Sequence, residues 1–261
     1  MYLAAIFFIG FAASTIGAIC GIGGGVIIKP VIDVLSLTDV SSASFLSSCT
    51  VLMMTAYSVF NSFKKDETII DVRNVTPLAI GAALGGIMGK MAFETIKSYL
   101  PFADEIGAYQ AAALGVVALG TMLYTVNKSK IKTHNLKNQF ISAIFGAALG
   151  CMSSFLGIGG GPIDLVVLYY FFSMDTKTAA QNALFIIFIS QMFSLLYTIF
   201  TRNVPNVSTA EILIMSAGGI IGGILGRKIN FKISKKTVDK LFVVVLMIIV
   251  LISIYNFFYY S

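Results

Sequence analysis

Two clusters of glycine, each followed by a short apolar segment, are the residues of this sequence best suited to binding a ligand. Their members are Gly21, Gly23, Gly24 and Gly25, and then Gly157, Gly159, Gly160 and Gly161. Four glycines in five positions are unfavourable inside a helix, so each cluster predicts a break followed by a half-helix. Free N–H groups at the start of such a helix attract anions. We therefore expect an anion site at the clusters, with close helix packing as the alternative.

Uncharged polar side chains lie early in the apolar segments that follow the two half-helices. They are Ser47, Ser48 and Thr50 in the first half, and Gln181 and Asn182 in the second. Buried hydroxyls and amides in lipid need a partner, which a substrate oxygen or a neighbouring helix can supply. We expect these five to line a substrate site, although serine and threonine also serve to pack helices together.

Few charges occur within the apolar segments. Lys29 and Asp33 are four residues apart and could pair on one helix face. Asp164 lies two residues after Pro162, near the repeat position of Lys29. An ionisable residue within a membrane is a functional hypothesis by default: Lys29 could attract an anion, and Asp164 could carry a proton or hold Lys29. Placement of both at the lipid headgroups is the alternative.

Groups for catalysis or metal binding are scarce. The single histidine, His134, lies in a polar loop, and the cysteines Cys20, Cys49 and Cys151 lie in or beside apolar segments. An odd number of apolar cysteines indicates no disulfide framework. We expect no catalytic residue, metal or cofactor.

The composition indicates the elements that position these residues. Hydrophobic residues make up 57% of the 261 residues and charged residues 11%, against about 25% charged in soluble domains. Ten apolar segments are recognisable, at about 2–20, 26–36, 43–62, 75–95, 107–126, 138–156, 162–173, 179–200, 209–227 and 238–259. Eight are long enough to cross a bilayer, and the short segments 26–36 and 162–173 follow the glycine clusters. The sequence predicts an all-α polytopic membrane protein.

The basic residues indicate a topology. Most of the 18 lysines and arginines lie in the loops 63–73, 127–137 and 227–240, and the positive-inside rule places these loops in the cytoplasm. Loops 97–106 and 201–208 then lie on the other side. The net charge of +6 is therefore interpreted as a topology signal, and no nucleic-acid partner is expected.

The sequence also repeats itself. The first glycine cluster recurs after 136 residues, and Gly85-Gly86-Ile87-Met88-Gly89-Lys90 recurs after 137 as Gly222-Gly223-Ile224-Leu225-Gly226-Arg227. Each half has five apolar segments, an odd number, so the halves must be inverted with respect to each other. We expect one integral domain, with repeats at 1–127 and 138–261 and a basic cytoplasmic linker at 128–137. Inverted repeats with broken helices are common in secondary transporters.

Glycines also recur at every fourth position in two rows. The rows are Gly81, Gly85 and Gly89, and Gly218, Gly222 and Gly226. This spacing predicts helix packing.

These motifs and the two-half layout resemble the sulfite exporter TauE/SafE family, also called the four-plus-four toluene sulfonate uptake superfamily. The matching positions are Gly21, Gly23 to Gly25 and Pro30, and then Gly157, Gly159 to Gly161 and Pro162. The resemblance implies a multi-pass permease of the bacterial inner membrane for sulfite, sulfoacetate, sulfonates, thiosulfate or other small organic anions. Members often carry a Thr-Ser pair where this chain has Ser47-Ser48 and Gln181-Asn182, a change that should alter what the cavity binds.

The resulting hypothesis is a secondary transporter that works by alternating access. Its expected partners are a small anionic substrate and the lipid bilayer, and the sequence leaves monomer and homodimer open. An anion channel and a membrane scaffold or assembly protein are alternatives, and an intramembrane enzyme has the least support from the residues.

Overall fold

The computed structural model describes residues 2–64, 70–99, 103–136 and 138–260. These residues form α-helices, one 3₁₀ turn at Lys128–Lys130 and no strand. The helices are α1 Tyr2–Cys20, α2 Gly25–Val34, α3 Val40–Lys64, α4 Val72–Tyr99, α5 Ala103–Asn127, α6 Gln139–Leu156, α7 Pro162–Phe172, α8 Thr176–Phe200, α9 Thr209–Lys232 and α10 Lys235–Tyr260. Lys65 and Lys137, two of the residues assigned to basic loops, lie outside the described residues.

Eight of these helices are long and apolar enough to cross a membrane. The remaining two, α2 and α7, are the half-helices predicted after the glycine clusters. The all-α polytopic prediction is therefore confirmed. Several helices are longer than predicted: α4 ends at Tyr99 and α5 begins at Ala103, both within the predicted loop 97–106, and Arg227 lies inside α9 rather than in a loop. Arg227 stays helical because its side chain is buried and hydrogen-bonded to α3.

Side chains at the helix starts explain several boundaries. Asn138 accepts hydrogen bonds from the second and third residues of α6, and Ser208 does so from Ala210 of α9. Asp175 caps α8 through Lys177 and Thr178. Partial burial acts to raise the pKa of Asp175, but hydrogen bonds from Thr178, Lys235 and Lys177 hold that pKa below its ordinary value.

The glycine rows pack helices in pairs, as predicted. A methyl group added at Gly81, Gly85 or Gly89 of α4 would overlap the backbone of Ala143, Ala147 or Cys151 of α6. In the other half, Gly218, Gly222 and Gly226 of α9 meet Phe7, Phe11 and Thr15 of α1 in the same way. Residue numbers rise together along both pairs, so α4 runs parallel to α6 and α1 runs parallel to α9. The first helix of each half is thus held by the fourth helix of the other half.

Equivalent helices from the two halves run in opposite directions. Phe60 and Phe63 of α3 contact Phe188 and Phe185 of α8, respectively, so α3 and α8 are antiparallel. Gly107 and Gly115 of α5 lie against Tyr260 and Ser253 of α10, which makes this pair antiparallel too. The arrangement is consistent with inverted repeats.

The half-helix α2 returns the chain to the side on which it started. Thr50 and Met54 of α3 lie against Gly219 and Gly223 of α9, so α3 runs parallel to α9 and hence to α1. The spanning helices α1 and α3 can be parallel only if the segment between them turns the chain back. The glycine cluster with α2 makes that turn, as the charge pattern required.

The three basic segments lie at one end of the molecule, which we call the basic end. Lys128 is 2.6 Å from Asp239 at the start of α10, and Lys235 is 3.3 Å from Asp175. The backbone N–H of Asp71, before α4, donates to Asn182 near the start of α8. His134 lies here as well, where its N–H donates to the carbonyl of Tyr170. The opposite end, with loop 201–208, is called the far end.

Close packing at the glycine rows predicts a stability difference between two Gly→Ala variants. Gly85→Ala pushes a methyl group into the Ala147 backbone and should lower the free energy of unfolding by about 1–3 kcal/mol. Gly120→Ala, on α5, meets nothing within 4 Å and should raise it by about 0.5–1 kcal/mol through helix propensity. Unfolding of both variants in bicelles measures this difference. Equal effects at the two sites would contradict the packing described.

Candidate functional site

The two glycine clusters meet at the centre of the molecule. We call residues 21–25 the first glycine loop and residues 157–161 the second, and all ten residues are buried. A methyl group added at Gly25 would overlap the carbonyl oxygen of Ile158, and one added at Gly23 would lie 3.6 Å from that of Gly159. The loops are thus in backbone contact, with no side chain between them at these positions.

The backbone conformation explains the need for glycine at two equivalent positions of each loop. Gly21 and Gly23 have φ of 81° and 68°, and Gly157 and Gly159 have φ of 65° and 67°. Side-chain-bearing residues rarely adopt such angles. The loops then diverge, because α2 begins at Gly25 whereas the second loop stays extended at Gly161 until Pro162 begins α7.

The first loop leaves a run of backbone donors unused. The N–H groups of Gly23, Gly24, Gly25 and Val26 have no hydrogen-bond acceptor among the described residues. Gly24 occupies the N-cap position of α2 and has no side chain that could accept a hydrogen bond from these N–H groups. The start of a helix carries partial positive charge. The first loop therefore presents free N–H donors of the kind that bind anions at helix starts.

The second loop already holds an acidic side chain. Asp164 of α7 is 2% exposed, and its carboxylate accepts a hydrogen bond of 3.2 Å from the N–H of Gly161. A carboxylate in the first turn of a helix interacts favourably with the partial positive charge at the helix start. The N–H groups of Gly159 and Gly160 find no acceptor among the described residues. The two half-helices are therefore related in position but not in electrostatics.

Three buried oxygens around the loops lack a partner. They are Ser14 Oγ, Ser47 Oγ and Gln191 Oε1, each in a residue at most 1% exposed. Ser14 and Ser47 would lie 2.9 and 2.8 Å from methyl groups added at Gly24 and Gly25, and Gln191 Oε1 would lie 3.4 Å from one at Gly159. Buried polar atoms in proteins are nearly always hydrogen-bonded. Three unpaired oxygens thus lie beside the unpaired N–H groups of the loops.

Other residues assigned to the site from sequence lie elsewhere. The hydroxyl of Thr50 donates to the Leu46 carbonyl, and its methyl group packs on Gly219. Asn182 accepts from the Asp71 N–H at the basic end. Gln181 accepts from Ser62 and Arg227, also in the half of the membrane nearest the basic end. Ser48 is buried on α3 next to Ser47.

The charged residues Lys29 and Asp164 do not pair with each other. Lys29 forms a buried ion pair of 3.1 Å with Asp33, as their spacing allowed. The side chain of Lys29 also passes the second loop, where its Cε would lie 3.3 Å from a methyl group at Gly157. The positive charge of Lys29 is therefore balanced by Asp33.

Two cavities open toward the ends of the molecule. The far-end cavity has a volume of about 630 Å³ and is lined by residues that include Ser41, Lys90, Glu94, Thr198, Arg202 and Asn203. The basic-end cavity of about 530 Å³ is lined by residues that include Asp71, Arg73 and Gln139. Neither is lined by a residue of the glycine loops, so neither opens directly onto the loop contact.

The sequence was compared with known proteins. The profile of the family "Sulfite exporter TauE/SafE" matches residues 6–253, nearly the whole chain. The chain belongs to this family. It is also 25% identical to the "Probable membrane transporter protein YunE" of Bacillus subtilis (strain 168), over 92% of this chain and 93% of the relative. No solved structure shows a significant match.

Membership of the family agrees with the architecture. The chain is a multi-pass membrane transporter of the TauE/SafE family, set in a lipid bilayer and acting on a small molecule. The resemblance identified from the doubled glycine clusters is thereby confirmed.

Equivalent glycines of the two loops are expected to respond differently to alanine. A methyl group at Gly25 would overlap the Ile158 backbone, whereas at Gly161 its nearest neighbour would lie 3.7 Å away. Gly25→Ala should therefore cost about 1–3 kcal/mol of stability, and Gly161→Ala less than about 0.5 kcal/mol. Thermal unfolding in lipid nanodiscs measures both. A tolerant Gly25 together with a sensitive Gly161 would show that the loops do not meet as described.

Proposed function

We propose that this chain carries a small sulfur-containing or organic anion, such as sulfite, sulfoacetate, a sulfonate or thiosulfate, across the bacterial inner membrane by alternating access. The anion binds at the contact of the glycine loops. The observation that carries the proposal is the run of four unused N–H donors at the start of α2, with the unpaired hydroxyls of Ser14 and Ser47 beside it. Donors of this kind match the oxygens of an oxyanion.

The asymmetry of the two loops supports a single bound anion. At the first loop a ligand oxygen would accept from Gly23 to Val26, whereas at the second Asp164 already occupies the start of α7. Two adjacent negative charges repel in a medium of low dielectric constant. The anion therefore sits closer to α2, and Asp164 is the group placed to carry a proton alongside it.

Alternating access requires the buried loops to open toward each side in turn. The loops come from opposite halves, and each is fixed to its own half by a short helix. Rocking the α1–α9 pair, which leads into the first loop, against the α4–α6 pair, which leads into the second loop, would separate the loops without breaking either glycine row. In such a cycle, loops in mutual contact would be the occluded step.

The membrane potential determines in which direction the anion can move without a coupled ion. The positive-inside rule puts the basic end in the cytoplasm. A negative interior then favours anion export by about 2.3 kcal/mol per charge per 100 mV. Uptake would need a coupled ion, for which a proton on Asp164 is the candidate.

Flux into and out of proteoliposomes that contain the purified protein tests this proposal. Sulfite, thiosulfate, sulfoacetate, taurine, sulfate and chloride would be compared. We expect saturable transport and counterflow for one sulfur-containing anion. Saturable counterflow separates a carrier from a channel, whose flux does not show it. Lack of transport and binding for every sulfur anion would refute the proposed substrate class.

Ser47→Ala tests the site within that experiment. If the hydroxyl binds the anion, its removal should raise the KM by about tenfold or more, the value of one hydrogen bond to a charged group. The melting temperature should stay the same or rise, because the hydroxyl has no partner in the protein.

The matched control is Ser253→Ala. Ser253 on α10 is also buried with an unpaired hydroxyl, but it lies against Gly115 of α5 rather than at the glycine loops. Its KM should equal that of the wild-type protein. An unchanged KM for Ser47→Ala, or an equal rise for both variants, would place the anion elsewhere.

A further inference from the structure

A pair of buried cations occupies equivalent positions in the two halves. Lys90 and Arg227 each follow the last glycine of a glycine row, 137 residues apart, and are 7% and 6% exposed. Lys90 lies near the far-end terminus of α4, and Arg227 near the basic-end terminus of α9. Buried cations in spanning helices are costly and generally mark a pathway or a site.

The two cations differ in their partners. Arg227 donates to the carbonyl of Ser58, to Ser62 Oγ at 2.6 Å and to Gln181 at 3.5 Å. Lys90 has no hydrogen bond or ion pair with any residue that the structure describes, and it lines the far-end cavity instead. The basic-end cation is therefore hydrogen-bonded within the protein, whereas the far-end cation lines a cavity.

The lining of the far-end cavity favours a small anion. Lys90 and Arg202 bring two positive charges and Glu94 brings one negative charge, so the lining residues that the structure describes carry a net positive charge. Asn203 adds an amide donor, and Ser41 and Thr198 add hydroxyl groups, of which that of Thr198 donates to the Ser194 carbonyl. A cleft that is lined by charges of one sign and has low-dielectric walls concentrates ions of the opposite charge. The volume of about 630 Å³ holds a small oxyanion with part of its hydration shell.

A row of hydroxyls leads from the cavity toward the glycine loops. Ser190, Ser194 and Thr198 follow one another at four-residue intervals on α8, and all are buried. Gln191, on the same helix, lies beside Gly159. Seven residues separate Gln191 from Thr198, which corresponds to roughly 10 Å along the helix. The cavity thus lies about two helical turns from the loop contact.

We propose that the far-end cavity is a separate binding site for a small oxyanion, with the ammonium group of Lys90 as its principal charge. Its role as the external entry to the pathway rests on the proposed function, whereas anion binding in the cavity does not. An anion with one or two charges and a sulfonate-like head fits both the charge and the donors. Lys90 recruits the anion, and the first glycine loop binds it after the protein has opened.

Charged thiol reagents test this proposal without a transport assay. Asn203→Cys places a thiol in the cavity, and Asn206→Cys places one on the same exposed loop but outside the cavity lining. Each full-length variant, in nanodiscs, is treated with a sulfonate-bearing and with a trimethylammonium-bearing methanethiosulfonate. Peptide mass spectrometry follows the label at the introduced cysteine apart from the three native ones.

The sulfonate reagent should react faster than the cationic one at Asn203→Cys, with a rate ratio about fivefold or more above that at Asn206→Cys. Adding Lys90→Gln should abolish this difference, and adding Lys90→Arg should preserve it. Equal ratios at the two cysteines, or a ratio unaffected by Lys90→Gln, would overturn the proposal. If Lys90→Gln fails to fold, sulfate is added as a competitor at constant ionic strength. It should slow the sulfonate reagent more at Asn203→Cys than at Asn206→Cys. Equal slowing at the two cysteines, or none, would also overturn the proposal.

The outcomes separate this site from the transport proposal. A ratio that depends on Lys90, in a protein that moves no sulfur anion, would support the cavity site and refute the proposed function. Transport of a sulfur anion, together with equal reaction of the anionic and cationic reagents in the cavity, would support the proposed function and refute the cavity site.

Discussion

Backbone that is not helical can lie at membrane depth only where the protein itself buries it, and here each glycine loop is buried by the other. The contact between Gly25 and the Ile158 backbone leaves no room for a larger side chain, and the positive φ angles of Gly21, Gly23, Gly157 and Gly159 require glycine in both loops. Helices α1 and α6, which lead into the loops, must therefore approach the opposite half closely. The glycine rows make this approach possible, because each row brings α9 or α4 into backbone contact with one of these helices.

Much of the architecture follows from the sequence because it depends on patterns that the bilayer imposes. Apolar length defined the spanning helices, repetition at 136 and 137 residues defined the halves, and clustered lysines placed three segments at one end. Boundaries were less predictable, since the hydropathy of a window cannot show that a charged residue is buried. Arg227 was assigned to a loop for this reason, whereas its bonds to α3 keep it within α9.

The site was predictable only in part. The glycine loops and Ser47 could be proposed as site residues because broken helices and polar residues stand out in an apolar sequence. The involvement of Ser14 and Gln191 depends on which helix faces the loops, and this is decided by tertiary packing. Asn182 and Thr50 are polar residues of the kind that line sites. In the structure Asn182 accepts a hydrogen bond from the Asp71 N–H before α4, and Thr50 packs against Gly219 of α9. The asymmetry between the loops came from one substitution in the repeat, Asp164 in place of Ile28, whose effect depends on the start of α7.

The central claim is that unused N–H groups of the glycine loops bind the transported anion. Solid-state NMR of ¹⁵N-glycine-labelled protein in lipid bilayers, titrated with the transported anion, measures this directly at each glycine. Our account predicts saturable amide shifts at Gly23, Gly24 and Gly25, with little change at Gly85 and Gly222 of the packing rows. Saturable binding that leaves the loop amides unmoved, or that shifts the row glycines instead, would contradict it.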